Sequence, residues 1–163
     1  MSNSVILTCM DYRIEIEKIK EQLTPSGNVY ILRNAGGRMT DDMIRSIIIA
    51  IRHLNIGYVY LLHHTDCGVN KITQNAMLKD LEISLGPCSG EQCVGNEKDS
   101  HHSAQYVNFL SFSQLENSVI EDYYRLASNE LIPRQLRVGG YIYHVEDHTI
   151  SVVDTKESRK NYF

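Results

Sequence analysis

The chain has 163 residues, a formal net charge of −4 at pH 7 and 22% charged residues. This length allows one domain with a substantial core, and the modest charge with scattered basic residues excludes the positive face expected of a nucleic-acid-binding protein. The apolar runs are too short for a signal peptide or a membrane span. We therefore expect a cytoplasmic protein with small-molecule chemistry.

Short apolar runs alternate with helical patterns in the first half of the chain. The apolar runs are nearly continuous, which is typical of strands covered on both faces of a sheet. They predict strands over 4–8, 28–32 and 58–62. Helices are predicted over 14–23 and 40–54, and Thr40 is the expected N-cap of the second helix. This alternation indicates a parallel sheet.

The second half of the chain continues the pattern. A helix is predicted after Gly68, and Ser113 with Glu116 forms a capping box that predicts another helix. Strand patterns follow at 137–145 and 149–153. Together these features predict a doubly wound α/β fold, with a mainly parallel sheet of about four strands, an antiparallel edge strand and helices on both faces.

Residues 86–105 are polar and weakly patterned, which predicts a loop inserted into a single domain spanning 1–163. The loop contains Cys88 and Cys93, whose C-x4-C spacing allows an accessory metal site or a surface thiol pair. Two free loop thiols are the favoured interpretation, because the cytoplasm keeps thiols reduced.

The predicted helix at 40–54 also indicates the oligomeric state. Ile49 and Ala50 lie outside its main apolar stripe, so the helix has more apolar surface than one sheet face requires. We predict a homodimer on this basis. The alternative is a helix that is buried within one chain.

Two predicted strands end in residues that bind metals. Cys9 follows the first strand, and the third strand runs into "LLHHTDCG" with His64 and Cys67. Ligands of open α/β sheets bind at the carboxyl ends of the strands, and a Cys-His-Cys set suits tetrahedral zinc with a fourth position open for water. Each stretch alone also fits a buried apolar cysteine or a structural histidine. Their combination favours catalytic zinc.

Asp11 and Arg13 follow Cys9 at a spacing of two, so an extended segment would direct all three side chains the same way. Asp11 could take the fourth metal position or orient its occupant.

Two phosphate-binding interpretations are disfavoured, because "CMDYR" is too tight for a phosphatase loop and "RNAGG" lacks the G-x-G-x-x-G spacing. Gly36 and Gly37 allow either close backbone approach to a ligand or an ordinary turn.

The motifs "CMDYR", "RNAGG", "IRS", "HHTDCG" and "LRVGGYIYHV" together resemble the β-class carbonic anhydrases, and specifically their small minimal clade. The match runs in order from Ser4 to about Val153. It implies a zinc enzyme on a parallel α/β sheet, dimeric or larger, that hydrates carbon dioxide to bicarbonate. Some members of this clade hydrolyse carbonyl sulfide or carbon disulfide instead, which leaves the substrate open. A non-catalytic zinc or redox module, with Asp11 as permanent fourth ligand, is a further alternative.

The resemblance also implies roles for individual residues. Cys9, His64 and Cys67 would be the zinc ligands, and Asp11 and Arg13 the catalytic pair in which the arginine holds the carboxylate off the metal. The residues that would line the substrate pocket are Ala35, Gly36 and Gly68.

Overall fold

The structure is a computed structural model that describes residues 2–85, 93–94, 101–102 and 107–155. For residues 85, 93–94 and 101–102 it describes the backbone alone. The chain divides into two compact units, one formed by Met1–Cys67 with Gln114–Phe163 and the other by Gly68–Ser113. None of the described helices has both the length and the apolar character needed to cross a lipid bilayer.

Strands and helices alternate along most of the described chain. In chain order the elements are β1 (Asn3–Cys9), α1 (Ile16–Leu23), β2 (Val29–Asn34), α2 (Asp41–His53), β3 (Ile56–His64), α3 (Gln74–Leu85), β4 (Cys93–Val94), β5 (His101–His102), α4 (Leu115–Ala127), β6 (Arg137–Tyr143) and β7 (Ile150–Val153). Short 3-10 helices span Ala35–Gly37 and Gly68–Lys71.

Five strands of the first unit form one sheet in the order β2-β1-β3-β6-β7. The first four are parallel to their neighbours, and β7 pairs with β6 in antiparallel orientation. The predicted fold class is therefore confirmed. The chain places β2 on one side of β1 and β3 on the other, so the strand order reverses at β1 and β3. Open α/β sheets bind their ligands at such a point, beyond the carboxyl ends of the strands.

The helices α2 and α4 cover one face of this sheet. The core between them and the sheet contains buried apolar residues of both strands and helices, among them Val5, Leu7, Ile44, Ile47, Ala50, Val59, Leu61 and Leu126. The predicted cap of α2 is confirmed, because Thr40 accepts a hydrogen bond from the backbone N–H of Met43 at 3.4 Å. This bond satisfies one of the free N–H groups at the start of the helix.

One part of the α2 prediction is wrong. Ala50 belongs to the buried core and does not lie outside the apolar stripe, because the stripe is wide enough to include it. Ile49 does lie outside, with 45% of its surface exposed.

The helix α1 lies on the other face of the sheet. Ile142 packs with α4, and the next residue, Tyr143, must therefore point to the opposite face. The Tyr143 hydroxyl is 3.4 Å from the backbone nitrogen of Glu15, which directly precedes α1. Helices on both faces, as predicted, shield the parallel strands from water.

Two predicted helix starts are displaced in the structure. α1 begins at Ile16 and not at Ile14, because residues 11–14 form a turn in which the Ile14 N–H donates to the Asp11 carbonyl at 3.3 Å. α4 begins at Leu115 after Gln114, whose side chain makes no capping hydrogen bond within the described residues. The predicted capping box of Ser113 is therefore wrong by one position.

The second unit contains α3 and the antiparallel pair of β4 and β5. α3 begins later than predicted, after the 3-10 helix. Its first residue, Gln74, donates to the Val107 carbonyl at 2.6 Å and accepts from the Phe109 N–H at 2.9 Å. Cys88 lies outside the described residues and Cys93 is described only in its backbone. The interpretation of these thiols and of a single domain with an inserted loop stays a prediction.

Gly37 is a point where the backbone permits no side chain. Its φ is +67°, and a Cβ there would lie 2.9 Å from the backbone nitrogen of Cys9. We expect Gly37→Ala to lower the free energy of unfolding by about 2 kcal/mol or more, from left-handed strain and contact with β1. Urea denaturation measures this loss.

Gly68→Ala is the matched control, because no described atom lies within 4 Å of the added carbon. Equal stability of the two variants would contradict the close approach at Gly37.

Candidate metal centre

Three potential metal ligands converge where β1 and β3 end. Cys9 is the last residue of β1, His64 is the last residue of β3, and Cys67 follows a two-residue turn. Their ligand atoms lie within 4.8 Å of one another, and all three residues are buried. Ligands at ~2.3 Å (sulfur) and ~2.0 Å (nitrogen) from a tetrahedral zinc have separations within this range. The group could therefore hold a metal ion.

The turn between His64 and Cys67 brings the second cysteine back to the strand end. Asp66 has a left-handed backbone, with φ of +52°, which aspartate tolerates better than most residues. The Thr65 N–H donates to the carbonyl of Tyr143 at 3.0 Å and ties the turn to β6. The turn thus brings the His64 imidazole and the Cys67 thiol close together.

His64 gives a further test of whether a metal fits this site. Both ring nitrogens are buried, and neither has a hydrogen-bond partner among the described residues. Asp11 Oδ2 is 4.0 Å from His64 Nε2, which is too far for a hydrogen bond. Buried polar atoms are seldom left without a partner, and coordination would satisfy one of these nitrogens. The donor set fits a metal.

The environment of Cys9 favours the thiolate form that binds metals. A hydrogen bond with the Cys67 side chain is the largest cause that lowers the pKa of Cys9, and the backbone N–H groups of two residues add to it. One of these groups is that of Gly36, 3.3 Å from the sulfur. Burial acts in the opposite direction but is outweighed. A thiolate at this position is the form required for coordination.

The three residues predicted to line the substrate pocket lie in different surroundings. Gly36 lies against Cys9, with a φ of +77° that suits glycine. Ala35, one residue earlier in the same 3-10 turn, is exposed. Gly68 begins the second unit. Their role in substrate binding stays a prediction.

Arg13 holds two carboxylates close to the cysteine-histidine group. Its Nε and Nη2 donate to the two oxygens of Asp11 at 3.0 and 2.7 Å, and its backbone N–H also donates to Oδ1 at 2.9 Å. Its Nη1 donates to Asp66 Oδ2 at 2.7 Å, and Nη2 donates to the Asp66 carbonyl at 3.0 Å. The guanidinium therefore joins the segment after β1 to the turn after β3.

This arrangement differs from the extended segment predicted after Cys9. β1 ends at Cys9, and residues Tyr12 and Arg13 form a turn. The turn allows both the backbone N–H and the side chain of Arg13 to reach Asp11, which an extended segment would not permit. Charge-assisted bonds in this two-point geometry are stronger than bonds between neutral groups.

Arg13 also changes the ionisation of its partner. Hydrogen bonding to the Arg13 side chain lowers the pKa of Asp11 to about 2, from an ordinary value of 3.8. The two carboxylates in turn raise the pKa of Arg13. Asp11 is therefore an anion throughout the physiological pH range.

Comparison with known proteins identifies the family. The sequence profile of the carbonic anhydrase family matches residues 4–150, nearly the whole chain. The chain belongs to the β-carbonic anhydrase family. It is 29% identical to a carbon disulfide hydrolase of Acidianus sp. over 153 residues, which are 89% of this chain and 74% of the relative. It is 38% identical to β-carbonic anhydrase 1 of Mycobacterium tuberculosis over 84 residues, 50% of this chain and 48% of the relative.

Solved structures agree with this result. A carbonic anhydrase structure from Streptococcus mutans is 34% identical and has a TM-score of 0.75, covering 93% of this chain and 81% of the other. The two reactions named for these relatives, of carbon dioxide and of carbon disulfide, thus both occur among proteins similar to this one.

A buried ionic network supports the metal centre of this β-carbonic anhydrase family member. Asp122 Oδ2 lies 3.0 Å from Arg38 Nε and 3.1 Å from His63 Nε2. His63 Nδ1 lies 2.7 Å from the Ser118 hydroxyl, and Arg38 also donates to Glu121 at 3.0 Å. Arg38 follows the turn that contacts Cys9, and His63 precedes His64. The network therefore ties the segment after β2 and the end of β3 to α4.

Asp66 and this network are absent from the predicted site residues. Asp66 lies between two predicted ligands in the motif "HHTDCG", so the sequence alone could have indicated it as a site residue. His63 neighbours a predicted ligand, and alternation along β3 directs it to the face opposite His64. Nothing in the sequence pattern indicates that Asp122, 59 residues later, is its partner.

The pKa of Asp11 can be measured directly. We expect its carboxyl carbon, followed by NMR in the metal-free protein, to titrate with a midpoint near pH 2. A lowered pKa stabilises the folded chain above pH ~3.8, and this stabilisation is lost as the pH falls toward 2. Arg13→Ala should move the midpoint up toward 3.8. A parent midpoint already near 3.8 would contradict the pairing.

Asp122 can be tested through stability. Asp122→Asn removes the buried charge that faces Arg38, and we expect the free energy of unfolding to fall by about 3 kcal/mol. Asp41→Asn is the control, because Asp41 makes an exposed ion pair with Arg125 at 2.7 Å. Such a pair contributes about 0 to 1 kcal/mol. Chemical denaturation that gave equal losses would rule out a supporting network.

Proposed function

We propose that the protein is a zinc enzyme that hydrates carbon dioxide to bicarbonate. The buried Cys9, His64 and Cys67 group, with unpaired imidazole nitrogens, is the observation that carries this proposal. Two sulfurs and one nitrogen are a zinc donor set, and three protein ligands leave a position open, which is typical of catalytic rather than structural zinc. Family membership supports the same reaction.

The residues of the chain have distinct tasks in this reaction. Zinc, when bound, supplies the Lewis acidity that makes water a nucleophile near neutral pH. Asp11 is ionised and accepts a hydrogen bond from the reacting water, which orients the water toward the carbon of the substrate. Arg13 holds both Asp11 oxygens, so the carboxylate stays beside the site and does not occupy the open position.

Hydrolysis of carbon disulfide or carbonyl sulfide is the second candidate. The match to the carbon disulfide hydrolase of Acidianus sp. covers most of both chains, which favours this alternative on sequence grounds. Attack of one water on the carbon of carbonyl sulfide gives one hydrogen sulfide and one carbon dioxide. Carbon disulfide requires two successive waters and gives two hydrogen sulfide molecules and one carbon dioxide, with the same residues. A non-catalytic zinc module is less well supported, because Arg13 engages both oxygens of the Asp11 carboxylate.

The predicted assembly and location are part of this proposal. The exposed Ile49 on α2 supplies apolar surface for a homodimer, although the correction at Ala50 reduces that surface. Cys9 and Cys67 do not form disulfides, and metal binding requires both to stay reduced. This requirement supports a cytoplasmic location.

Metal content and substrate can be tested on one preparation. We expect about one zinc per chain by elemental analysis, and we expect Cys9→Ser and Cys67→Ser to lose both zinc and activity. The double variant Cys88→Ser/Cys93→Ser is the control and should retain both. Carbon dioxide hydration and carbon disulfide and carbonyl sulfide hydrolysis are then assayed side by side. Full zinc in either ligand variant would overturn the ligand assignment, and no turnover of any substrate would overturn the function.

The Asp11 and Arg13 pair can be tested as a unit. Arg13→Ala and Asp11→Asn should each keep zinc and lose most of kcat/KM, because the carboxylate is either released or replaced by a weaker acceptor. The double variant should be little worse than either single variant, since groups that act together are non-additive. Arg13→Ala rates within a few-fold of the parent at all pH values would reduce the pair to an ordinary surface ion pair.

A further inference from the structure

We propose that Asp66 is a positioning residue that holds Arg13, and through Arg13 the Asp11 carboxylate, away from the open metal position. This inference rests on the proposed function, and it adds to the Asp11 and Arg13 pair a third member from the other strand end. The observation that carries it is the double contact of Arg13 with the Asp66 side chain and carbonyl.

The geometry shows how Asp66 acts. Arg13 could rotate with Asp11 as one exposed pair if Asp11 were its sole partner. Instead, four hydrogen bonds from its side chain run to Asp11 and Asp66, so the guanidinium plane is fixed from both sides. Because Asp66 stands between the ligands His64 and Cys67, Arg13 is fixed relative to the metal group itself.

The position of Asp66 in the turn adds to this effect. Its left-handed backbone directs the carbonyl oxygen to Arg13 Nη2 while the side chain reaches Nη1. Few residues other than glycine, asparagine and aspartate adopt this conformation readily, and of these only aspartate carries a negative charge. The turn that closes the ligand set therefore also presents the carboxylate that restrains Arg13.

The competing view is that Asp66 and Arg13 form an ordinary surface ion pair. Their side chains are 45% and 33% exposed, and exposed pairs often contribute little to stability. A positioning role predicts effects on Arg13 and on the metal environment that a surface pair would not produce. Measurements other than stability are therefore required.

Asp66→Asn is the decisive variant, because asparagine has the same shape, tolerates the left-handed backbone and lacks the charge. Asp42→Asn is the matched control, since Asp42 pairs with Arg45 at 3.4 Å on the exposed side of α2. Asp66→Gly serves as a second variant that keeps the backbone carbonyl and removes the whole side chain.

The first readout uses the metal-free protein. In Asp66→Asn we expect the Arg13 Nη1–H signal in the NMR spectrum to exchange with water roughly tenfold faster than in the parent, because its charge-assisted bond to Asp66 Oδ2 is replaced by a weaker bond to a neutral amide. The second readout is the absorption spectrum of the cobalt-substituted protein, which reports the coordination of the metal. We expect this spectrum to change in both Asp66 variants and to stay unchanged in Asp42→Asn.

The third readout is turnover of whichever substrate the parent accepts. We expect kcat to fall roughly tenfold in Asp66→Asn, with KM within about twofold, since the residue does not contact substrate. Parent-like exchange and a parent-like cobalt spectrum in both Asp66 variants would overturn the proposal. If the parent turns over none of the substrates, the proposed function fails, whereas the exchange and cobalt measurements still decide the role of Asp66.

Discussion

The adjacency of two parallel strand ends is the constraint on which the whole site depends. β1 and β3 are neighbours, although 46 residues separate Cys9 from Ile56 in the sequence. Parallel pairing brings their carboxyl ends to one edge of the sheet, where Cys9 meets His64 and the turn to Cys67. A slip of one residue in this register would turn every side chain to the opposite face and separate the ligands. The core under α2 and α4, which fixes the register, thus also brings together the residues of the candidate metal centre.

The buried network explains how these strand ends stay in place where the sheet itself stops. Arg38, Asp122 and His63 are almost fully buried, so their polar atoms require partners. Their mutual contacts tie the segment after β2 and the end of β3 to α4. Backbone pairing already holds Cys9 beside Asn34 and His64 beside Tyr143, and the network adds side-chain contacts to α4. The network therefore supports the ligands through the residues next to them in the chain.

Local patterns predicted much of this structure, and their failures have physical causes. The strands and the ligand set follow from apolar runs and from the rule that parallel strands end at one edge, both of which depend on residues near one another in sequence. The predicted capping box at Ser113 is wrong because sequence preferences locate the start of a helix only to within a residue or two. The prediction for Ala50 is wrong because the width of the buried apolar stripe on α2 depends on which residues pack against that helix.

The contacts of Arg13 and Asp122 belong to a different class. Arg13 reaches Asp66 across 53 positions, and His63 reaches Asp122 across 59. Such pairs depend on side-chain reach between segments that only the folded sheet brings together, so no periodicity in one segment can reveal them. The resemblance to the family supplied the Asp11 and Arg13 pair, whereas the contact of Arg13 with Asp66 appears only in the folded structure.

The charges around the centre bear on which substrates suit it. Asp11 and Asp66 place two negative charges beside the ligand cysteines, and Arg13 is the cation that both share. With most of its N–H groups already bonded to these carboxylates, Arg13 has little capacity left to bind an anionic substrate. In the proposed reaction, a neutral substrate such as carbon dioxide or carbon disulfide would meet no repulsion from these two carboxylates, whereas an anionic substrate would. The same guanidinium that restrains the carboxylate thereby makes the site better suited to neutral electrophiles than to anions.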